Sequence, residues 1–191
     1  MKLIALTLKE EELKLLSTLI GKKFDYYIHD EFRLTNTTLK RIGFSIGGRL
    51  FVLKNDLEEF NDYFFDENEV PMLKFEPVEN EEGLRDKATV IPPVKSVVSA
   101  DINDILIVRD SIIASTEKEQ EEVQSDEGII IKTSLRDYGF FKQDPTIMEF
   151  IDIYTGHHVE NNIEPLDKRW SFLVPGLVKK AKREFVSLKV K

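Results

Sequence analysis

Imidazole and carboxylate side chains come together at one place in this sequence: Asp152, His157, His158 and Glu160, with Glu164 close behind. That set has the donor types that hold Zn, Fe or Mn. Without a metal, the same groups make an acid-base pair in which a carboxylate fixes the histidine tautomer. The spacing restricts both ideas. Neighbouring histidines point to opposite sides of a strand and stand about 100° apart on a helix, so both reach one ion only from an irregular loop. No H-E-x-x-H spacing is present. The remaining histidine is His29 and there is no cysteine, which excludes thiol nucleophiles, disulfides and Cys-ligated zinc.

Other chemical patterns fade on inspection. Gly43-Phe44-Ser45-Ile46-Gly47 fits G-x-S-x-G, but a nucleophile elbow needs a strand turning into a helix, and Gly47-Gly48 between two apolar runs is hairpin chemistry. Gly43, Gly47 and Gly48 lack the G-x-x-x-x-G-K pattern, so no nucleotide or other cofactor site is readable. Carboxylate runs such as Glu10-Glu11-Glu12 read as a solvated face.

Two segments suit binding instead. Lys179, Lys180, Lys182 and Arg183, near Trp170, Phe172 and Phe185, join phosphate-type contacts to stacking surfaces, as a nucleic-acid site does. The chain carries a net charge of -8, and the segment from Leu177 to Lys191, with six basic residues and one acid, carries +5 against -13 for the rest. The acidic body repels polyanions, so the basic segment reads first as facing an acidic surface of its own molecule or of a protein partner. Tyr63, Phe64 and Phe65 cannot all point one way on a helix, which assigns at least one to an interface with a partner or a second copy.

The elements that must position these groups follow from periodicity. Thr7 and Glu10 have capping-box spacing, Leu13, Leu16 and Ile20 make an apolar stripe, and Gly21 is a stop, which predicts a helix over 8–20. Residues 24–33 read as extended, and 41–46, Gly47-Gly48 and 49–53 as a hairpin. Asn55 and Glu58 predict a helix over 56–64; 70–78, 94–99, 105–113 and 128–133 read as strands, and 135–141 as a turn and strand. The Glu- and Gln-rich stretch 117–127 reads as a mobile connector. Asp144-Pro145 before Ile147, Phe150, Ile151 and Tyr154 predicts a helix ending at Gly156. Residues 157–167 read as loop, 169–174 as strand, 177–185 as a short helix and 185–191 as a last strand. The segments 51–63 and 140–154 share a Glu-Phe-x-Asp pattern, suggesting a repeated strand-turn-helix unit.

The expected fold class is therefore α+β: a mainly antiparallel sheet with hairpins and at least three short helices packed on it. A chain of 191 residues is read as one domain, with possible subdomains 1–90 and 91–191 meeting at Ile91-Pro92-Pro93. No leader-like segment and no apolar run near 18 residues is present, and with no cysteine this gives a cytoplasmic expectation. Three functional readings follow. The first is an accessory or regulatory protein acting through a protein interface. The second is a metal-dependent or acid-base hydrolase-like enzyme centred on His157, His158 and Glu160 with Asp152. The third is a nucleic-acid binder using the basic C-terminal segment. The residues leave open whether the chain is an enzyme.

Overall fold

The structure, a computed structural model, describes residues 2–31, 36–59, 69–85, 92–115, 120–143, 149–170 and 178–189. The first half of the chain forms β1 (Lys2–Leu6), α1 (Glu10–Ser17), β2 (Lys23–Asp30), β3 (Thr37–Leu39), β4 (Arg41–Ile46), β5 (Arg49–Glu59) and β6 (Glu69–Val78). The second half forms β7 (Pro93–Ser115), β8 (Gln120–Thr133), β9 (Asp137–Lys142), β10 (Phe150–Gly156), α2 (Leu166–Arg169) and β11 (Val178–Ser187). Among the described residues every pairing is antiparallel except that of β1 with β8. Strand accounts for 66% and helix for 14%, with two α-helices, so the α+β expectation with three or more helices is overturned in favour of a mostly antiparallel sheet.

Each missing helix lost to a strand ladder. Where a helix was predicted over 56–64, β5 runs on to Glu59, its residues paired with β6 from Leu50↔Val78 to Glu59↔Glu69. Asn55 is no helix cap; it is buried, and its amide donates to Phe150 O at 3.2 Å. In the second predicted helix, Ile151 and Ile153 bury on one face of β10 between β9 and β3, a period of two instead of 3.6. The helix expected over 177–185 is, from Val178 onward, β11 laid along β7. The expected connector 117–127 is strand from Gln120 onward, because both edges of β8 are taken, by β1 and by β7. In one proposed repeat unit β10 stands where the helix was expected, and the other runs from β5 into residues outside those described. Tyr63, Phe64 and Phe65, and Ile91 of the proposed subdomain junction, also lie outside them.

Other expectations match. The helix expected over 8–20 forms as α1 over Glu10–Ser17, with Leu16 of its stripe fully buried and Leu13 and Ile20 partly so, although the chain caps at Lys9, whose amide donates to Glu12 Oε2 at 2.6 Å. Gly47 (φ 58°) and Gly48 (φ 72°) make the β4–β5 turn with two positive φ angles, which two glycines adopt without strain.

The pairings close into a ring. β7 pairs with β2 through its first half and with β8 through its second. β8 pairs with β9, β9 with β10, and β10 with β3. β3 continues into β4 through a single bend at Lys40 (φ 59°), and β4 pairs back onto β2. Lys40 locks this corner with its backbone, its amide donating to Glu149 O at 2.8 Å and its carbonyl accepting from Asn55 N at 2.7 Å. Inside the ring pack Phe24, Phe44, Ile107, Ile129, Phe140 and Ile151, with Phe44 and Phe140 rings edge-to-face at 5.1 Å. β5 and β6 extend the wall, and α1 packs on the same core, Glu12 Oε1 accepting from Phe75 N at 2.8 Å. No helix among the described residues is long and apolar enough to cross a membrane.

Candidate functional site

β8 carries an irregularity from which the site is built. Opposite β7, Gly128 faces Val108 and Asp126 faces Arg109, so Glu127 is an extra residue, a β-bulge. On its other edge β8 changes partner at the same point, from parallel β1 over Glu121–Ser125 to antiparallel β9 over Gly128–Lys132. Ser125, Asp126 and Glu127 are all fully buried there, and both carboxylates are ion-paired. Asp126 accepts from Leu8 N at 2.9 Å, just past the end of β1, and from Arg109 Nε at 2.7 Å.

Glu127 holds two cations. Its Oε2 accepts from Arg169 Nε at 2.7 Å and also from Nη2, and its Oε1 lies 3.2 Å from Lys142 Nζ. Lys142, at the end of β9, spends its remaining donors on Ser125 Oγ at 3.0 Å and Pro71 O at 3.3 Å. Arg169, in the last turn of α2, also donates to Lys142 O at 2.9 Å and Gln143 O at 3.4 Å. Burial pushes the Glu127 carboxyl up, but the charges of Arg169 and Lys142 and hydrogen bonds from Ser125 and Arg169 outweigh it and hold it at about 2. A second pair anchors β11: Arg183 grips the buried Asp110 through Nε and Nη2, both at 2.7 Å, and Trp170 Nε1 adds a third bond at 2.9 Å.

Outside this framework, against the outer face of β9 and β10, lies a pocket of about 370 Å³. Phe141, Asp152 and Tyr154 line it from the sheet; Asn162, Ile163 and Glu164 face them; Lys142, Gln143 and Arg169 close it toward the ion pairs. The segment after β10 covers this face because Val159 and Ile163 bury against Val108, Ile130 and Phe141. Asp152 is half-buried, and Thr37, its cross-strand partner on β3, donates to Oδ1. Burial raises its carboxyl above the ordinary range, against the pull of the Thr37 hydrogen bond and the Arg169 charge.

The residues singled out from the sequence are dispersed. Of the group around the histidines, Asp152 and Glu164 line the pocket. His157 and His158 are exposed beyond it, His158 in a left-handed conformation (φ 58°) with Nδ1 3.4 Å from Glu160 Oε1. Among the described residues no three His, Cys, Asp or Glu side chains converge to hold a metal ion. The basic segment divides as well: Lys180 and Lys182 are exposed on β11, while Arg183 is committed to Asp110 and to Glu164 O at 2.8 Å. Only the backbone of Lys179 is described. Ser45 sits in the hairpin strand β4 and donates to Asp25 Oδ2 at 3.3 Å, not in an elbow.

No family model, curated protein or solved structure matches the chain. Its site is therefore read from its own residues. Glu127, Lys142 and Arg169 escape a sequence reading because the three are distant in the chain. The one local signal is an acid and a lysine set at the ends of strongly apolar strands, where a paired burial is the only way to keep them.

Proposed function

We propose that this chain is a binding protein for a small polar ligand, with its site in the pocket on β9 and β10. One observation carries it: the Glu127–Arg169–Lys142 framework fixes one wall of a cavity in which Asp152 keeps a carboxylate oxygen with no partner among the described residues. A rigid wall of committed ions beside a desolvated, uncommitted carboxylate is the arrangement of a preformed recognition site. The protein-interface reading drew on Tyr63, Phe64 and Phe65, outside the described residues, and on the basic segment, whose Arg183 is committed to Asp110. A cysteine-free composition suits a cytoplasmic setting.

The test is a nuclear magnetic resonance screen of the labelled protein against small polar compounds. Binding at the site shifts amides of Asp152, Tyr154 and Arg169 together, and Asn162→Trp, which fills the pocket from an exposed position, abolishes those shifts. A hit that moves other residues, or shifts that persist in Asn162→Trp, removes the proposal.

A further inference from the structure

We infer that the ligand of this pocket is a small organic cation bearing N–H donors, a primary or secondary amine. The inference rests on the proposed site and deepens it. Its ground is which polar atoms remain to greet a ligand once the internal bonds are made.

Both cations at the site are largely committed. Lys142 Nζ donates to Ser125 Oγ and Pro71 O and is ion-paired with Glu127 Oε1 at 3.2 Å. Arg169 directs Nε and Nη2 to Glu127 and the Lys142 carbonyl, and one of its two Nη1 protons to the Gln143 carbonyl. An anion entering the pocket would find most of these donors engaged. It would also meet two carboxylates, Asp152 and the exposed Glu164. Counted as ionised, the five charged groups are two cations against three carboxylates, and the chain as a whole is -8. The field at the pocket thus favours positive charge.

What remains open is acceptor-rich. Asp152 receives one hydrogen bond, from Thr37, and the Asn162 amide nitrogen is bonded to Val159 O at 3.1 Å, which turns its oxygen to other uses. A charged N–H donor is the partner such oxygens bind most strongly, because charge-assisted hydrogen bonds are roughly twice as strong as neutral ones. The aromatic lining agrees: Phe141 and Tyr154 both line the pocket with rings 6.0 Å apart, and aromatic rings attract cations. The cavity exceeds what an ammonium group alone fills, so the ligand carries an organic body against Phe141, Tyr154 and Ile163. The raised Asp152 carboxyl is consistent with this, since burial has left that charge without a full counter-ion.

The experiment uses three compounds with one ring and different head groups: benzylamine, benzyl alcohol and benzoate. Each is titrated into the labelled full-length protein and into Asp152→Asn and Glu164→Gln. Asparagine keeps an acceptor for Thr37, so the pocket stays formed. Benzylamine is expected to shift Asp152, Tyr154 and Arg169, to bind about tenfold more tightly than benzyl alcohol, and to lose about tenfold in Asp152→Asn. Benzoate is expected to leave these residues unmoved. Benzoate or benzyl alcohol binding at these residues as well as the amine overturns the cation class and leaves the pocket a ligand site. No shift at them with any of the three overturns both.

Discussion

Arg169 Nε lies 2.7 Å from Glu127 Oε2, and the two side chains are 2% and 0% exposed. Lys142 occupies the other oxygen, so one buried anion holds two buried cations. Removing ions from water costs several kcal/mol each, offset only while every partner stays in place. Glu127→Gln strands both cations and is expected to cost about 3–5 kcal/mol in urea unfolding. Replacing the triad by Glu127→Leu, Lys142→Met and Arg169→Met together is expected to cost less than Glu127→Gln alone. A larger loss in the triple variant would show that the ion pairs themselves stabilise the fold.

The same carboxyl sets an acid limit. It is held at about 2 against an ordinary 4.5, so the unfolded chain takes up this proton first. A depressed value contributes stability that is present above the unfolded pKa and lost as pH falls through the folded one. The stability gap between wild type and Glu127→Gln should shrink by about 3 kcal/mol between pH ~5 and pH ~2. Equilibrium unfolding across that window measures it, and a gap that stays constant contradicts the assignment.

Asp152 has the opposite sign. Burial raises its carboxyl above the ordinary 3.8, so its stabilising contribution is present below that value and lost as pH rises through the folded one. Asp152→Asn retains the acceptor for Thr37 and is expected to melt at or above the wild-type temperature at neutral pH. The advantage should vanish in acid, below the ordinary value. Thermal denaturation at both pH values checks it. A variant less stable at neutral pH would make Asp152 a structural residue and not one held ready for a ligand.

Local signals in the sequence were enough for some of this and not for the rest. Gly47-Gly48 marks its hairpin because two positive φ angles are a property of those two residues. Leu13 and Leu16 mark α1 for a similar reason, as core contact follows a period inside one segment. Asn55, Ile151 and Val178 to Ser187 misled because helix and strand signals compete in short segments, and the ladder partner that decides lies far along the chain. Glu127 is the sharpest case. Beside Glu121 and Glu122 it has the composition of a solvated connector, and what buries it is a bulge paired with Lys142 and Arg169. Asp152 was singled out with His157 and His158, yet the group that meets it comes from Thr37 and Arg169 instead.

The bulge at Glu127 needs the residue after it to be glycine. A Cβ on Gly128 would stand 2.5 Å from Phe140 O and 2.9 Å from Phe141 Cα, both backbone atoms of β9. Those atoms cannot retreat without parting β9 from β8, where Lys142 reaches back to Glu127. At Gly139 the nearest atoms, 2.5 Å and 2.6 Å away, are the far ring carbons of Phe141, which can turn aside. Gly128→Ala is thus expected to cost about 1–3 kcal/mol or more, with Gly139→Ala costing less. Gly128→Ala should also speed amide exchange at Phe141 and Lys142, because the strand pair that carries the pocket wall is what must open. Equal losses in the two variants would mean that displacing the Phe141 ring, and not the contact between the strands, sets the cost.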